Sequence, residues 1–253
     1  MSRLDSVQPD LGALDTRHVW NVQPGHAQPP PKGKRLVMLG RPGSGKGIQS
    51  ACLATALDVT HIALGDALRA AWRAGSPLGQ AVEPYLASGR LLPDGVVAAV
   101  VADELDKAGS AGFVLDGFPR TLRQAELLTT LLRSETIDAA ISLVVRRAVA
   151  LHRLNARRIC RECGLTVETE DRACRSCGGE LTRRPDDWTD SIALRLATFD
   201  AQARPLTRWY AERELLRVVD GHGPIDEVAR RMLEVVSPTG SKTSAGVSAQ
   251  SGV

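Results

Sequence analysis

The chain has 253 residues, 43% of them hydrophobic, with 32 Lys and Arg against 29 Asp and Glu, for a formal charge of +3. That length can bury one sizeable core, and the near-balance of charge excludes the bulk basicity or acidity that would by itself recruit nucleic acid or a membrane surface. No apolar run reaches the length of a bilayer span, and the first residues, with Asp5, Asp10 and Asp15, lack the basic-then-apolar layout of a signal peptide. A cytoplasmic protein with no nucleic-acid or membrane partner is expected.

Residues 1–33 show no sustained apolar period and close on a run of prolines, so they are expected to form a disordered arm. The folded unit is expected over 34–236. Arg35-Leu36-Val37-Met38-Leu39 is a short apolar run that breaks into a Gly-rich turn, and 48–57 then reads as a helix. Further short apolar runs at 112–115, 139–145 and 215–219 alternate with helical patterns at 124–132 and 225–236. This rhythm predicts an α/β fold: a parallel sheet with helices on both faces. A stretch rich in Cys, Gly, Arg and Thr interrupts it and reads as a small inserted domain. The Ser/Gly-rich residues 237–253 are expected to be a disordered tail.

Between the first strand and helix, Gly40-Arg41-Pro42-Gly43-Ser44-Gly45-Lys46 fits G-x-x-x-x-G-K in the strand–turn–helix context that a phosphate loop requires. Glycines let successive backbone N–H groups turn inward around phosphate oxygens. The helix N-terminus adds partial positive charge, and Lys46 reaches the outer phosphates. Gly47 follows the lysine, so no hydroxyl stands there to hold magnesium directly.

Within the insert, Cys160-Arg161-Glu162-Cys163-Gly164 and Cys174-Arg175-Ser176-Cys177-Gly178 are paired C-x-x-C turns. Four thiolates so arranged favour a closed tetrahedral zinc site, which would hold together a unit too poor in apolar residues to fold alone. Only ten residues separate the pairs, so the strands between them are expected to be abbreviated. Cys52 is left over and is expected to be a small buried residue.

The blocks that follow, in order, carry a family resemblance. They are Gly45-Lys46-Gly47 with Gln49; His61-Ile62-Ala63-Leu64-Gly65-Asp66-Ala67-Leu68-Arg69; Gly89-Arg90-Leu91-Leu92-Pro93-Asp94; and Asp116-Gly117-Phe118-Pro119-Arg120-Thr121 with Gln124. After these come Arg153-Leu154-Asn155-Ala156-Arg157-Arg158, then Arg183-Arg184-Pro185-Asp186-Asp187, then Arg195. Over about 34–236 the chain resembles the nucleoside monophosphate kinases, and among them adenylate kinases with a zinc-bearing lid.

The resemblance implies a P-loop NTPase-type fold with a monophosphate-binding segment at about 63–92 and a lid at about 158–190. It implies Mg-dependent transfer of the terminal phosphate of ATP to AMP by direct in-line displacement, with Zn as a structural ion in the lid. Lys46, Asp116, Arg120, Arg157, Arg183 and Arg195 would carry catalysis, Asp116 by orienting magnesium through water. Gly43, Ser44, Gly45, Lys46, Gly47, Ile48, Arg153 and Arg157 would hold ATP. Leu64, Arg69, Gly117, Arg120, Gln124, Arg183 and Arg195 would hold AMP, with Gln124 at the adenine edge. Cys160, Cys163, Cys174 and Cys177 would hold the metal. Arginine suits these tasks because its planar fork meets phosphate oxygens bidentately and stays charged.

Asp66, at a helix start, is open to either a capping or an electrostatic role. Ile48 and Leu64 depart from the family's usual threonines, and Leu64 is expected to broaden acceptor choice. A kinase for pyrimidine or mixed monophosphates is therefore one alternative, and a weakly active zinc-ribbon nucleotide- or nucleic-acid-binding protein is another. A monomer is expected.

Overall fold

The computed structural model describes residues 33–133, 136–184 and 186–237. The arm expected over 1–33 and the tail expected over 237–253 lie, but for Gly33 and Ser237, outside the described residues.

Five parallel strands form the main sheet: β1 (Arg35–Leu39), β2 (Thr60–Ala63), β3 (Phe113–Asp116), β4 (Ala139–Val144) and, after the insert, β8 (Leu216–Asp220). Their order is β2-β3-β1-β4-β8. Every pairing is parallel, so each connection must cross over the sheet rather than turn back as a hairpin. The helices are α1 (Lys46–Leu57), α2 (Leu64–Arg73), α3 (Pro77–Ser88), α4 (Asp94–Ala108), α5 (Leu122–Leu131), α6 (Arg147–Ala156), α7 (Thr189–Ala211) and α8 (Ile225–Val236).

The two faces of the sheet follow the period of two in the strand sequences. Leu36 and Met38 of β1 point to one face, where they join Leu53 and Leu57 of α1 and Val228 and Met232 of α8. Val37 and Leu39 point to the other face, with Val101 of α4, Leu128 of α5, and Leu206 and Tyr210 of α7. Being buried on both sides makes the central strands near-continuous apolar runs. Each such side chain contributes about 1.5–3 kcal/mol of burial, so the core stands without the insert.

The insert carries a second sheet, antiparallel, of β5 (Arg157–Cys160), β6 (Thr166–Glu168) and β7 (Leu181–Thr182), in the order β6-β5-β7. Of these, only β6 lies in the ten residues between the knuckles, and it is three residues long, as that spacing predicts. α6 enters the insert and α7 leaves it.

Three segments that carry candidate residues begin at the C-terminal ends of adjacent strands: the phosphate loop after β1, the first turns of α2 (Leu64–Arg69) after β2, and the Gly117–Arg120 loop after β3. In a parallel sheet this edge is where ligands collect.

Candidate active site

The phosphate loop has the geometry that its glycines dictate. Gly43 has φ +79°, and a Cβ there would lie 2.3 Å from the Ala150 carbonyl oxygen of α6. Only glycine fits that close approach. Gly45, at φ 92°, is the N-cap from which α1 departs. Lys46 Nζ donates to the carbonyls of Gly40 at 2.6 Å and Arg41 at 3.1 Å, and so lies folded over the loop. Gly43, Ser44, Gly45, Lys46, Gly47 and Ile48 all line one large cleft. Arg153 of α6 donates to the Ser44 carbonyl at 3.2 Å, which ties the loop to the root of the insert. Asp116 lines the same cleft. A Cβ at Gly47 would stand 3.6 Å from Asp116 Oδ2, so glycine leaves the space beside this carboxylate clear.

A second, smaller cavity adjoins the cleft and is lined by Leu64, Arg69, Gly117, Arg120, Gln124 and Arg195, among others. Arg69, Gly117, Arg120 and Arg195 line both spaces. Gly65 makes room for one of the shared cations, since a Cβ there would sit 3.0 Å from Arg69 Nη2. Leu64 is buried and contributes apolar wall to this cavity while packing into the core. Gln124 is buried at the start of α5, its backbone N–H capped by Thr121 Oγ1 at 3.2 Å.

Four carboxylates interleave with the arginines. Asp187, fully buried, takes a bidentate pair from Arg157 at 2.5 and 2.6 Å and a third bond from Arg195 at 2.9 Å. Asp186 Oδ2 faces Arg195 at 3.3 Å and Arg69 at 3.5 Å. Asp66 Oδ1 accepts from Arg69 at 2.5 Å and from Arg184 at 2.9 Å. α2 has no side-chain cap, so the capping alternative for Asp66 gives way to the electrostatic one. With Asp116 as the fourth acid, the cations Lys46, Arg69, Arg120, Arg157, Arg184 and Arg195 remain in excess.

This field, together with burial, shifts the pKa values of these groups. Burial, aided by Arg120, Arg195 and Arg157, lowers Lys46 to about 8. Burial with Arg195 and Arg69 lowers Arg120 to about 10, and burial with Arg69 and Arg157 lowers Arg184 to about 9. Burial alone would raise Asp186, yet Arg69, Arg195 and Arg184 bring it down to about 2. Asp66 is likewise driven well below the carboxylate range by Arg69 and Arg184, against its burial. An excess of buried positive charge wants anions, and phosphate oxygens supply them.

One arginine expected here stands elsewhere. Arg183 turns to Asn155 Oδ1 at 3.5 Å and lies over the Trp188 ring at 5.3 Å, while its neighbour Arg184 is buried in the cluster. Adjacent residues leaving a strand point to opposite sides, so only one of the pair can face the cleft. Asp186 and Asp187 join the cluster as partners that no local motif marks. Their adjacency to Arg183-Arg184 was the available signal.

In the insert, the four cysteine Sγ atoms lie within 4.8 Å of one another, with Cys160 and Cys177 at 3.5 Å and Cys163 and Cys174 at 3.7 Å. Tetrahedral thiolate ligands at about 2.3 Å from an ion stand about 3.8 Å apart, so this set fits a single metal ion. Each knuckle closes on a glycine with positive φ, Gly164 at 73° and Gly178 at 76°. Cys52 is buried in α1, away from them.

A parallel α/β sheet, a phosphate loop, a cation-rich junction of two cavities and a cysteine-bearing insert define a P-loop phosphotransferase with a metal-capable lid. The adenylate kinase family profile matches residues 38–215. An adenylate kinase of Desulforudis audaxviator is 41% identical over 207 residues, covering 78% of this chain and 97% of the relative. Those of Carboxydothermus hydrogenoformans and Geobacter sulfurreducens are each 39% identical, over 203 and 210 residues, covering 77% and 79% of this chain and 95% and 97% of the relatives. The chain belongs to the adenylate kinase family, the ATP:AMP phosphotransferases. These relatives favour neither the pyrimidine-kinase nor the nucleic-acid-binding alternative.

Proposed function

We propose that the chain catalyses the reversible, magnesium-dependent transfer of the terminal phosphate of ATP to AMP, giving two ADP. The observation that supports this most is the sharing of Arg69, Arg120 and Arg195 between the phosphate-loop cleft and the smaller cavity. A phosphate on each side of that junction would meet the other with cations around both, and phosphoryl transfer needs little beyond alignment and charge neutralisation.

In this reading ATP phosphates lie in the backbone N–H cradle of Gly43 to Ile48 with Lys46 on their outer oxygens, and Arg153 faces the donor base. Arg69 and Arg120 hold the acceptor phosphate, and Gln124 reads the base. Arg157, Arg184 and Arg195, held apart beforehand by Asp66, Asp186 and Asp187, surround the transferred group; Arg184 takes the role first expected of Arg183. Magnesium, when bound with ATP, neutralises donor phosphate charge, and Asp116 would hold it through water in the space that Gly47 leaves. Steady-state kinetics with AMP, CMP, UMP and GMP as acceptors test the reading: AMP is expected to be turned over best, and failure of all four would overturn it.

Four thiolates favour zinc over harder ions, and we assign one structural Zn per chain to Cys160, Cys163, Cys174 and Cys177. Among the described residues the lid's apolar cluster has Cys160, Cys174 and Leu181 buried and Cys163, Leu165 and Val167 partly so, too little apolar surface to hold the three strands alone. Chelation is therefore expected to speed amide exchange over 157–182 while the main sheet stays protected. Equal protection of the lid with and without metal would contradict this.

The four thiolates suit a reducing compartment such as the cytoplasm. Among the described residues no helix is long and apolar enough to cross a membrane.

A further inference from the structure

Two fixed partners impose a polarity on one amide in the acceptor cavity. Gln124 Oε1 accepts the Arg120 backbone N–H at 2.7 Å, and Gln124 Nε2 donates to Asp94 Oδ1 at 2.9 Å. Neither partner can reverse its role, because a backbone N–H only donates and a carboxylate only accepts. The flipped amide would set N–H against N–H at one end and oxygen against oxygen at the other. Gln124 is 2% exposed, and the Thr121 cap fixes where its side chain starts, so it has little freedom to avoid those clashes. An amide has two N–H donors and two acceptor sites. With one of each engaged, one N–H and one lone pair remain to face a ligand, in an order that the anchors set.

We propose that Asp94 is a specificity-determining positioning residue: by fixing the amide of Gln124, it makes the cavity select bases that carry an exocyclic amine beside an unprotonated ring nitrogen. The inference rests on the reading of Gln124 as the group that meets the acceptor base. Adenine offers an amine donor at position 6 and a bare acceptor at N1, which match the free lone pair and the free N–H. Hypoxanthine offers a carbonyl and an N–H at the same places, and matches only the flipped amide. Cytosine and uracil differ in the same sense, so CMP should follow AMP and UMP should follow IMP in direction. Of the two anchors, the Arg120 N–H belongs to the backbone and no side-chain substitution removes it. Asp94, in the first turn of α4 and 30 residues away in sequence, is the anchor that substitution can relax. Its other oxygen faces Arg123 Nε at 3.3 Å, on a side chain that is largely exposed.

The test compares kcat/KM for AMP and IMP in the wild type, Asp94→Asn, Asp94→Ala and Arg123→Ala. Asparagine keeps the size of Asp94 but can accept or donate, so it no longer dictates a polarity; alanine removes the anchor outright. The wild type is expected to prefer AMP to IMP by about a hundredfold or more. Both Asp94 variants should lower that ratio about tenfold, with AMP falling while IMP holds or rises. Arg123→Ala should keep the wild-type ratio. A purely structural role for Asp94 would lower both acceptors together, and an unchanged AMP/IMP ratio in folded Asp94→Asn and Asp94→Ala overturns the proposal. So does the same relaxation in Arg123→Ala, which would assign the effect to the ion pair. A wild type that uses neither monophosphate overturns the phosphotransferase reading instead. A wild type that uses both equally overturns base reading by Gln124.

Discussion

Lys46→Ala is expected to lower kcat by about a thousandfold, the loss typical of removing one preorganised charge from a transition state, while thermal stability is kept. Lys46 Nζ rests on the Gly40 and Arg41 carbonyls and sits among Arg120, Arg157 and Arg195, so its charge is held where phosphate oxygens enter rather than spent on an ion pair. The core faces around β1 do not include it, so the fold should survive the change. Burial lowers this lysine to about 8. In the free enzyme the ammonium is therefore present below that pH and lost above it, and kcat/KM for ATP should fall as pH rises through about 8. Bound phosphate should move the group back up, leaving kcat less sensitive over the same range. Pre-steady-state and steady-state kinetics check both parts. A variant with more than about a tenth of wild-type kcat would show that the lysine is not the principal cation at the donor phosphates.

Arg184→Ala should cost about a hundredfold or more in kcat, and Arg183→Ala about threefold at most. The two side chains differ in surroundings rather than in chemistry. Arg184 is 7% exposed and bonded to Asp66, with burial, Arg69 and Arg157 bringing it to about 9. Arg183 spans Asn155 and the Trp188 ring at the lid's outer root. Removing Arg184 also leaves Asp66 with one cation fewer, so part of the loss should appear in the KM for AMP through Arg69. Stopped-flow transfer assays on the two variants decide between them. A larger loss from Arg183→Ala would mean that the strand turns the other way when nucleotides bind.

The features legible in the sequence are those whose chemistry is local. The phosphate loop lies within seven residues, each cysteine knuckle within five, and both need glycine at fixed places. α8 falls where the apolar period puts it, at Ile225–Val236, and β1 occupies its predicted residues. α1 begins at Lys46, two residues before the predicted start, because the Gly45 N-cap sets its first turn while Lys46 and Gly47 add nothing to the apolar period. β2 has a single buried residue, Ile62, between polar and half-buried neighbours, and offers neither an alternation nor an apolar run to read. β7 is two residues long, too short for a period that would tell Arg183 from Arg184. The carboxylates were hidden for another reason. Asp66 meets Arg184 across 118 positions, and Asp94 meets Gln124 across 30, so their partners exist only once the chain has folded.

Direct transfer between two nucleotides at the junction that Arg69, Arg120 and Arg195 share leaves an isotopic signature. It is tested most directly by following the label from ATP carrying an isotopic γ-phosphate, incubated with AMP, magnesium and the purified protein. Label is expected in the β-phosphate of ADP, with magnesium required and none retained on the protein. Label released as inorganic phosphate at the rate of ATP loss, or trapped on the chain, would contradict it.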